Sequence, residues 1–136
     1  MTELEGKHIK QILLHNTHEI VKFIIKDKDP VVYKTHDDCC SETWVEEFFN
    51  IGALLDATVN RVEEIPLGKK KTCLYGYRIY TDKGTSTIVF RNSSNGYYGG
   101  SIVILEYGLP LDGWIDLKED IELPTECPYD PYEEKD

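Results

Sequence analysis

One five-residue segment combines imidazole, carboxylate and thiol groups, which are the groups that bind transition metals. It comprises residues 36–40, with the sequence His-Asp-Asp-Cys-Cys. Zinc prefers thiolate and imidazole, but a structural zinc site needs a closed tetrahedral set of ligands at paired spacings such as C-x-x-C. Because adjacent cysteines rarely point at the same ion, Cys73 or Cys127 would have to complete the site. The alternative is an inert thiol pair, since buried cysteine packs as a small hydrophobic residue.

The same segment also contains the parts of a cysteine nucleophile, with His36 close to Cys39 and Cys40. A reactive thiolate needs a cationic setting or a helix N-terminus, whereas here carboxylates surround the thiols. The chain also lacks the glycine-rich phosphate loop, the H-E-x-x-H zinc motif and the G-x-S-x-G nucleophile motif. The sequence therefore predicts a protein that is not an enzyme and that carries no cofactor.

Phenol side chains form a second group with chemical potential. Tyr97 and Tyr98 follow an Asn-Gly turn, and Tyr75 and Tyr77 alternate along an earlier strand. Tyrosine supplies a large, amphipathic contact area and is a frequent anchor of protein interfaces. We therefore predict that these four side chains contact a partner. The alternative is that they only fill the two faces of their strands, and stacking on nucleic-acid bases is less favoured without surrounding positive charge.

Charge is distributed in blocks along the chain, which has 15 basic and 25 acidic residues and a net charge of −10. Residues 36–65 sum to −7 and residues 106–136 to −9, whereas residues 66–105 sum to +5. Such a chain repels phosphates, so direct non-specific binding of nucleic acid is disfavoured and a protein partner with a basic surface is favoured. The acids predicted to steer that encounter are Asp112, Asp116, Glu119 and Asp120. The alternative is that the acids only keep a small domain soluble.

Composition excludes membrane and secreted classes of protein. The longest apolar runs, such as residues 102–105, are far shorter than the roughly 20 residues that a membrane-spanning helix needs. The first residues are acidic where a secretory signal is basic. The four cysteines are too few and too irregularly spaced for a disulfide scaffold. We therefore predict free thiols in a cytoplasmic protein that has no membrane contact.

Short runs of β-branched and aromatic residues predict most of the secondary structure. Residues 7–14, 19–26 and 31–36 read as the strands of a meander, separated by polar turns. In the second strand Val21, Phe23 and Ile25 share one face, as expected for a half-buried sheet. Residues 43–49 fit a twisted edge strand, with Glu46 and Glu47 exposed.

A short helix is predicted next, because Asn50 is a good N-cap for the apolar residues up to Leu55. Residues 57–64 then read as extended, with Val59 and Arg61 inward. Residues 73–80 and 85–91 form the two strands of a hairpin, and residues 97–106 form a third strand that completes an antiparallel meander.

These elements predict one α+β domain over residues 1–110, followed by an acidic, proline-containing extension over residues 111–136. The domain is expected to be a twisted, mostly antiparallel sheet that curls toward a barrel and carries one short helix. Trp114, Ile115, Leu117 and Ile121 in the extension are apolar enough to dock across that sheet.

Two motifs resemble those of a family of small proteins that is frequent in bacteriophage genomes and has no established function. They are Asp38-Cys39-Cys40, which follows a strand ending in His36, and Ser94-Asn95-Gly96-Tyr97-Tyr98, which follows a strand over residues 87–91. The resemblance covers about residues 5–106. It implies a compact α+β fold and a phage or mobile-element origin, and it transfers no activity.

Two functional hypotheses follow. The first is a non-enzymatic, phage-type protein that binds a basic protein partner and inhibits a host or defence factor through its acidic surface. The second is a binder of a small molecule, such as a nucleotide signal, or of a metal. Its predicted ligands are His36, Asp38, Cys39, Cys40 and the turn residue Asn95.

Overall fold

The computed structural model describes residues 1–37, 43–66, 74–92 and 100–122. Over these ranges the chain forms ten β-strands and two single-turn 3-10 helices, and no α-helix. The 3-10 helices span Thr2–Leu4 and Ile51–Ala53. The strands are β1 His8–His15, β2 Ile20–Ile25, β3 Val31–Asp37, β4 Thr43–Phe49, β5 Ala57–Pro66, β6 Leu74–Thr81, β7 Gly84–Asn92, β8 Gly100–Ile104, β9 Trp114–Asp116 and β10 Ile121–Glu122.

All of these strands join one antiparallel sheet, with the order β10-β4-β7-β6-β5-β1-β2-β3-β8. Strand β9 pairs with β1 outside this path. The prediction of an α+β fold is therefore wrong, because the described chain is nearly all sheet. The strands predicted for β1 to β7 are confirmed within a few residues at each end.

The predicted helix after Asn50 is wrong, and only the 3-10 turn Ile51–Ala53 forms there. Asn50 has a left-handed backbone with φ of 60°, and its side chain makes no capping bond to the turn. Asp56 is also left-handed, with φ of 56°, and it ends the segment immediately before β5. The segment between β4 and β5 is too short for its hydrogen bonds to offset the free energy of helix nucleation.

The third strand of the predicted meander is also misplaced. Strand β8 pairs with β3, with Tyr33 opposite Ile104, and does not pair with β7. The second neighbour of β7 is β4, where Val45 lies opposite Phe90 and Phe48 opposite Ile88. All four of these side chains are buried, so core packing selects this pairing over the strand that is next in sequence.

Two bulges change which residues face the core. In β5 the register shifts between Val59 and Arg61, so that Val59 and Val62 are buried. The inward prediction is thus confirmed for Val59 and wrong for Arg61, whose guanidinium lies 4.3 Å from the centre of the Tyr80 ring. A second bulge in β4 buries Glu46, which was expected to be exposed.

The buried apolar side chains of the described residues form one hydrophobic cluster inside the sheet. Val21 and Phe23 of β2 belong to the same cluster as Val45 of β4 and Ile88 of β7, which lie in the other half of the strand order. The predicted common face of Val21, Phe23 and Ile25 is confirmed. Over the four ranges given above, no helix is long and apolar enough to cross a membrane.

Candidate functional site

The residues predicted to bind a metal or small ligand are only partly described. Asp38, Cys39, Cys40 and Asn95 lie outside the described residues. His36 is exposed near the end of β3, where its backbone pairs with Ser101 of β8. Among the residues that the structure covers, no group of three His, Cys, Asp or Glu side chains is placed to hold a metal ion. The second hypothesis therefore stays a prediction.

Of the four predicted tyrosine anchors, only Tyr77 has a described side chain. Tyr97 and Tyr98 lie outside the described residues, and the backbone of Tyr75 pairs with Phe90 inside the sheet. Tyr77 is half-buried and packs edge-to-face on Phe90, with 6.1 Å between ring centres. Burial raises the pKa of Tyr77 above its usual range. Tyr77 thus contributes to packing inside the sheet.

The four predicted acids are brought to the surface by β9, β10 and their flanks. Asp112 and Glu119 are exposed, and Asp116 lies 3.9 Å from the ammonium of Lys118. Asp120 has a structural contact, because its Oδ1 accepts a hydrogen bond of 2.7 Å from the backbone N–H of Ile51. This bond joins the segment before β10 to the 3-10 turn that follows β4.

The strand pair β10–β4 collects acids into one cluster at an edge of the described sheet. Glu122 lies directly opposite Glu47, and Asp120 and Glu119 precede β10. We call Glu47, Glu119, Asp120 and Glu122 the acidic edge. Partial burial, followed by the negative charges of Glu122, Glu46 and Asp120, raises the pKa of Glu47 above its ordinary value. The fold therefore disfavours the charged form of Glu47, first through burial and then through its acidic neighbours.

An exposed aromatic ring stands beside the acidic edge. Phe49 ends β4, two residues after Glu47 and on the same face, and 60% of its surface is exposed. Its backbone is fixed by the Ser86 hydroxyl, which donates to the Phe49 carbonyl over 3.0 Å. Sequence reasoning missed this residue, although Phe48 and Phe49 are adjacent in a strand and must point to opposite faces.

The acidic edge predicts an unusual pH dependence. We expect Glu47→Gln to stabilise the fold near neutral pH by about 0.5 kcal/mol, because a carboxylate among like charges is removed. The raised pKa of Glu47 lowers the stability of the fold in a pH-dependent way. The loss of stability is complete above the pKa of the folded state and shrinks as the pH falls through it. It vanishes below the pKa that Glu47 has in the unfolded chain. Melting temperatures at about pH 7 and about pH 3 should therefore differ between the two proteins only at the higher pH.

Glu64→Gln is the matched control, because Glu64 is an exposed acid on β5, away from the acidic edge. It should leave the melting temperature nearly unchanged at both pH values. A lower melting temperature of Glu47→Gln at neutral pH would show that Glu47 stabilises the fold. It would contradict the claim that its carboxylate destabilises the acidic edge.

A histidine, a threonine and an aspartate meet on another surface, where β1 and β5 begin. His8 Nε2 donates to Asp56 Oδ1 over 2.8 Å, and Nδ1 then accepts from the Thr58 hydroxyl over 3.0 Å. This hydrogen bond lowers the pKa of Asp56. The connectivity resembles a hydroxyl–imidazole–carboxylate triad. However, these three side chains join the starts of β1 and β5, where His8 lies directly opposite Thr58.

Comparison with known proteins places the chain in a family without assigning an activity. Residues 2–104 match DUF7448, a domain of unknown function. Uncharacterized protein L278 of Acanthamoeba polyphaga mimivirus is 28% identical over 110 residues, which cover 73% of this chain and 87% of that protein. No solved structure matches. The expected viral link and the expected family of unknown function are thus supported, and this chain belongs to the DUF7448 family.

Proposed function

We propose that this chain is a non-enzymatic, phage-type protein that binds a protein partner in the host cytoplasm. The observation that carries the proposal is the acidic edge beside the exposed ring of Phe49. Carboxylates steer a basic partner toward the surface. An aromatic ring that becomes buried when the partner binds supplies most of the contact energy. The partner is a protein with a basic patch surrounding a small apolar pocket.

Electrostatic strain at the acidic edge supports binding over mere solubility. Acids that only keep a protein soluble are best spread apart, whereas the fold places Glu122 opposite Glu47 on adjacent strands. A cationic side chain of a partner would relieve this repulsion on binding. The stability that the free protein gives up is then recovered in the complex, as expected for a site kept for function.

Inhibition follows from the charge of the proposed surface. Many proteins that act on nucleic acid bind phosphates through Lys and Arg residues. A cluster of fixed carboxylates competes with those phosphates for the same side chains. We therefore propose that the partner is a host or defence factor whose nucleic-acid surface is covered by the acidic edge.

The test uses two triple variants with the same change in net charge. The first carries Glu47→Gln, Glu119→Gln and Glu122→Gln, and leaves Asp120 in place because it bonds to the Ile51 backbone. The second carries Asp27→Asn, Asp29→Asn and Glu64→Gln, at exposed acids that lie outside β4, β10 and the segment between β9 and β10. Each is used with the wild-type chain to capture proteins from the natural host.

We expect one basic protein to be retained by the wild type and by the second variant, and to be lost from the first variant and from Phe49→Ala. Its affinity for the wild type should fall steeply with salt and drop about tenfold or more in the first variant. A partner retained equally by both triple variants would overturn the proposal.

A further inference from the structure

A second surface lies at the opposite end of the strand order, where β3 and β8 meet the chain after β8. It holds an open cavity of about 520 Å³. Its apolar lining comes from Val31, Val32, Ile104, Leu105 and Leu109. The backbone N–H of Leu105 donates to the Val32 carbonyl over 3.0 Å, which holds the two sides of the cavity together. Cavities of about this volume bind small organic molecules in many proteins.

The charges that line the cavity all have one sign. Among the described residues, its charged lining consists of Glu3, Asp29 and Glu106 and includes no Lys, Arg or His. The Tyr33 hydroxyl donates to Glu3 Oε1 over 2.8 Å, and this bond lowers the pKa of Glu3. Glu3 is therefore anionic and oriented at neutral pH.

Two of the three carboxylates have no partner among the described residues. The α-amino group of Met1 lies 3.7 Å from Glu3 Oε1 and offsets part of that charge. The side chains of Asp29 and Glu106 are exposed and make no hydrogen bond or ion pair within the part of the chain that the structure describes. The cavity thus offers an aliphatic floor with two uncompensated negative charges beside it.

A second cavity, which has charges of both signs, differs from the cavity at β3 and β8. It has a volume of about 590 Å³ and is lined by Lys10 and Lys118 together with Asp56 and Asp116. Balanced charges of this kind select no sign of ligand. The cavity at β3 and β8 differs because its charges select a cation and its lining selects a hydrocarbon.

We propose that the cavity at β3 and β8 binds a free organic amine. The protonated nitrogen lies against Asp29 and Glu106, and the hydrocarbon body covers Val31, Ile104 and Leu109. An inorganic cation would leave the apolar lining unused, and a fatty acid would meet three carboxylates. This site is separate from the acidic edge, so it stands whether or not the proposed protein partner exists.

The test is an NMR titration of the isotopically labelled full chain with hexylamine as the probe. We expect saturable shifts of the backbone amides of Val31, Val32, Ile104 and Leu105, with a Kd of about 1 mM for so small a ligand. Hexan-1-ol has the same length and no charge. It should bind the same residues about two- to fivefold more weakly, the effect of losing an exposed ion pair.

Variants separate the contribution of charge from that of the apolar lining. Asp29→Asn/Glu106→Gln should weaken hexylamine to the affinity of hexan-1-ol and leave hexan-1-ol unchanged. Ile104→Asn should weaken both probes, and the exposed position of Ile104 makes the change tolerable to the fold. Glu119→Gln/Glu122→Gln makes the same change in net charge at the acidic edge and should affect neither probe.

Three results would overturn the proposal. The first is hexylamine shifts spread over the acidic surface without saturation, and the second is equal binding of hexylamine by the wild type and Asp29→Asn/Glu106→Gln. The third uses a capped tetrapeptide that contains one lysine. Binding of this peptide at least tenfold more tightly than hexylamine, with shifts along the whole of β8, would assign the cavity to a peptide side chain and not to a free amine.

Discussion

Replacing Arg91 with Met should destabilise the fold by about 3–5 kcal/mol, because one member of a buried ion pair is then left without its partner. Glu46 is only 8% exposed, at the bulge of β4. Arg91 on β7 holds it through both carboxylate oxygens, with Nε directed at Oε1 and Nη2 at Oε2, the latter over 2.8 Å. Met keeps much of the apolar length of Arg, so the packing of the aliphatic part of the side chain is largely retained. Chemical denaturation at neutral pH measures the loss of stability.

A double-mutant cycle separates the pair from packing. Glu46→Gln/Arg91→Met should be more stable than Arg91→Met alone, because the uncompensated carboxylate is gone. The exposed pair of Arg78 and Glu63, 3.7 Å apart, is the matched control, and Arg78→Met should cost less than about 1 kcal/mol. Equal losses for the two arginine variants would show that Glu46 is in effect solvated.

This ion pair explains why the acidic edge contains Glu47 but not the adjacent Glu46. The β4 bulge turns Glu46 toward Arg91, whereas Glu47 lies opposite Glu122. Glu46 is thereby neutralised in place, and Glu47 contributes its charge to the outer surface. The bulge therefore produces both the ion pair between β4 and β7 and the acidic face of β4. A change at Arg91 should disturb the proposed partner surface as well as the fold.

The strands could be predicted from the sequence, and so could the pairing of consecutive strands in β1–β2–β3 and in the β6–β7 hairpin, but the pairing of strands far apart in the sequence could not. Val21, Phe23 and Ile25 show the two-residue period of a half-buried strand, which is a local property. The pairing of β8 with β3 depends on which faces are buried once the whole sheet has formed. The bulge that places Arg61 outward depends in the same way on the register with β6.

For the proposed partner surface, the sequence predicts the negative charge but not which residues form the surface. Composition indicates that acids near Glu119 and Asp120 face a basic partner, but it carries no information on the pairing of Glu122 with Glu47. It also favoured Tyr77 as an anchor, because alternation cannot tell which face of a strand is covered. In the structure, the side chain of Tyr77 is half-buried and that of Phe49 is exposed.

The second large effect is expected at Leu117, in the segment that the sequence assigns to an acidic extension. Leu117 is 4% exposed and belongs to the hydrophobic core. Its N–H donates to the Ile12 carbonyl over 2.9 Å, immediately after β9 pairs with β1. Leu117→Ala should therefore cost about 2–5 kcal/mol, since it leaves a cavity among core side chains.

Leu111→Ala makes the same chemical change on the same segment, at a side chain that is 99% exposed, and should change the free energy of unfolding by less than about 0.5 kcal/mol. Denaturation of both variants compares buried and exposed leucines directly. A large loss at Leu117 alone would mean that β9 and β10 fold cooperatively with the sheet, so that the acidic edge is a rigid surface. Equal, small losses would mean that residues 111–122 detach, and the carboxylates of β10 would then no longer be held against Glu47.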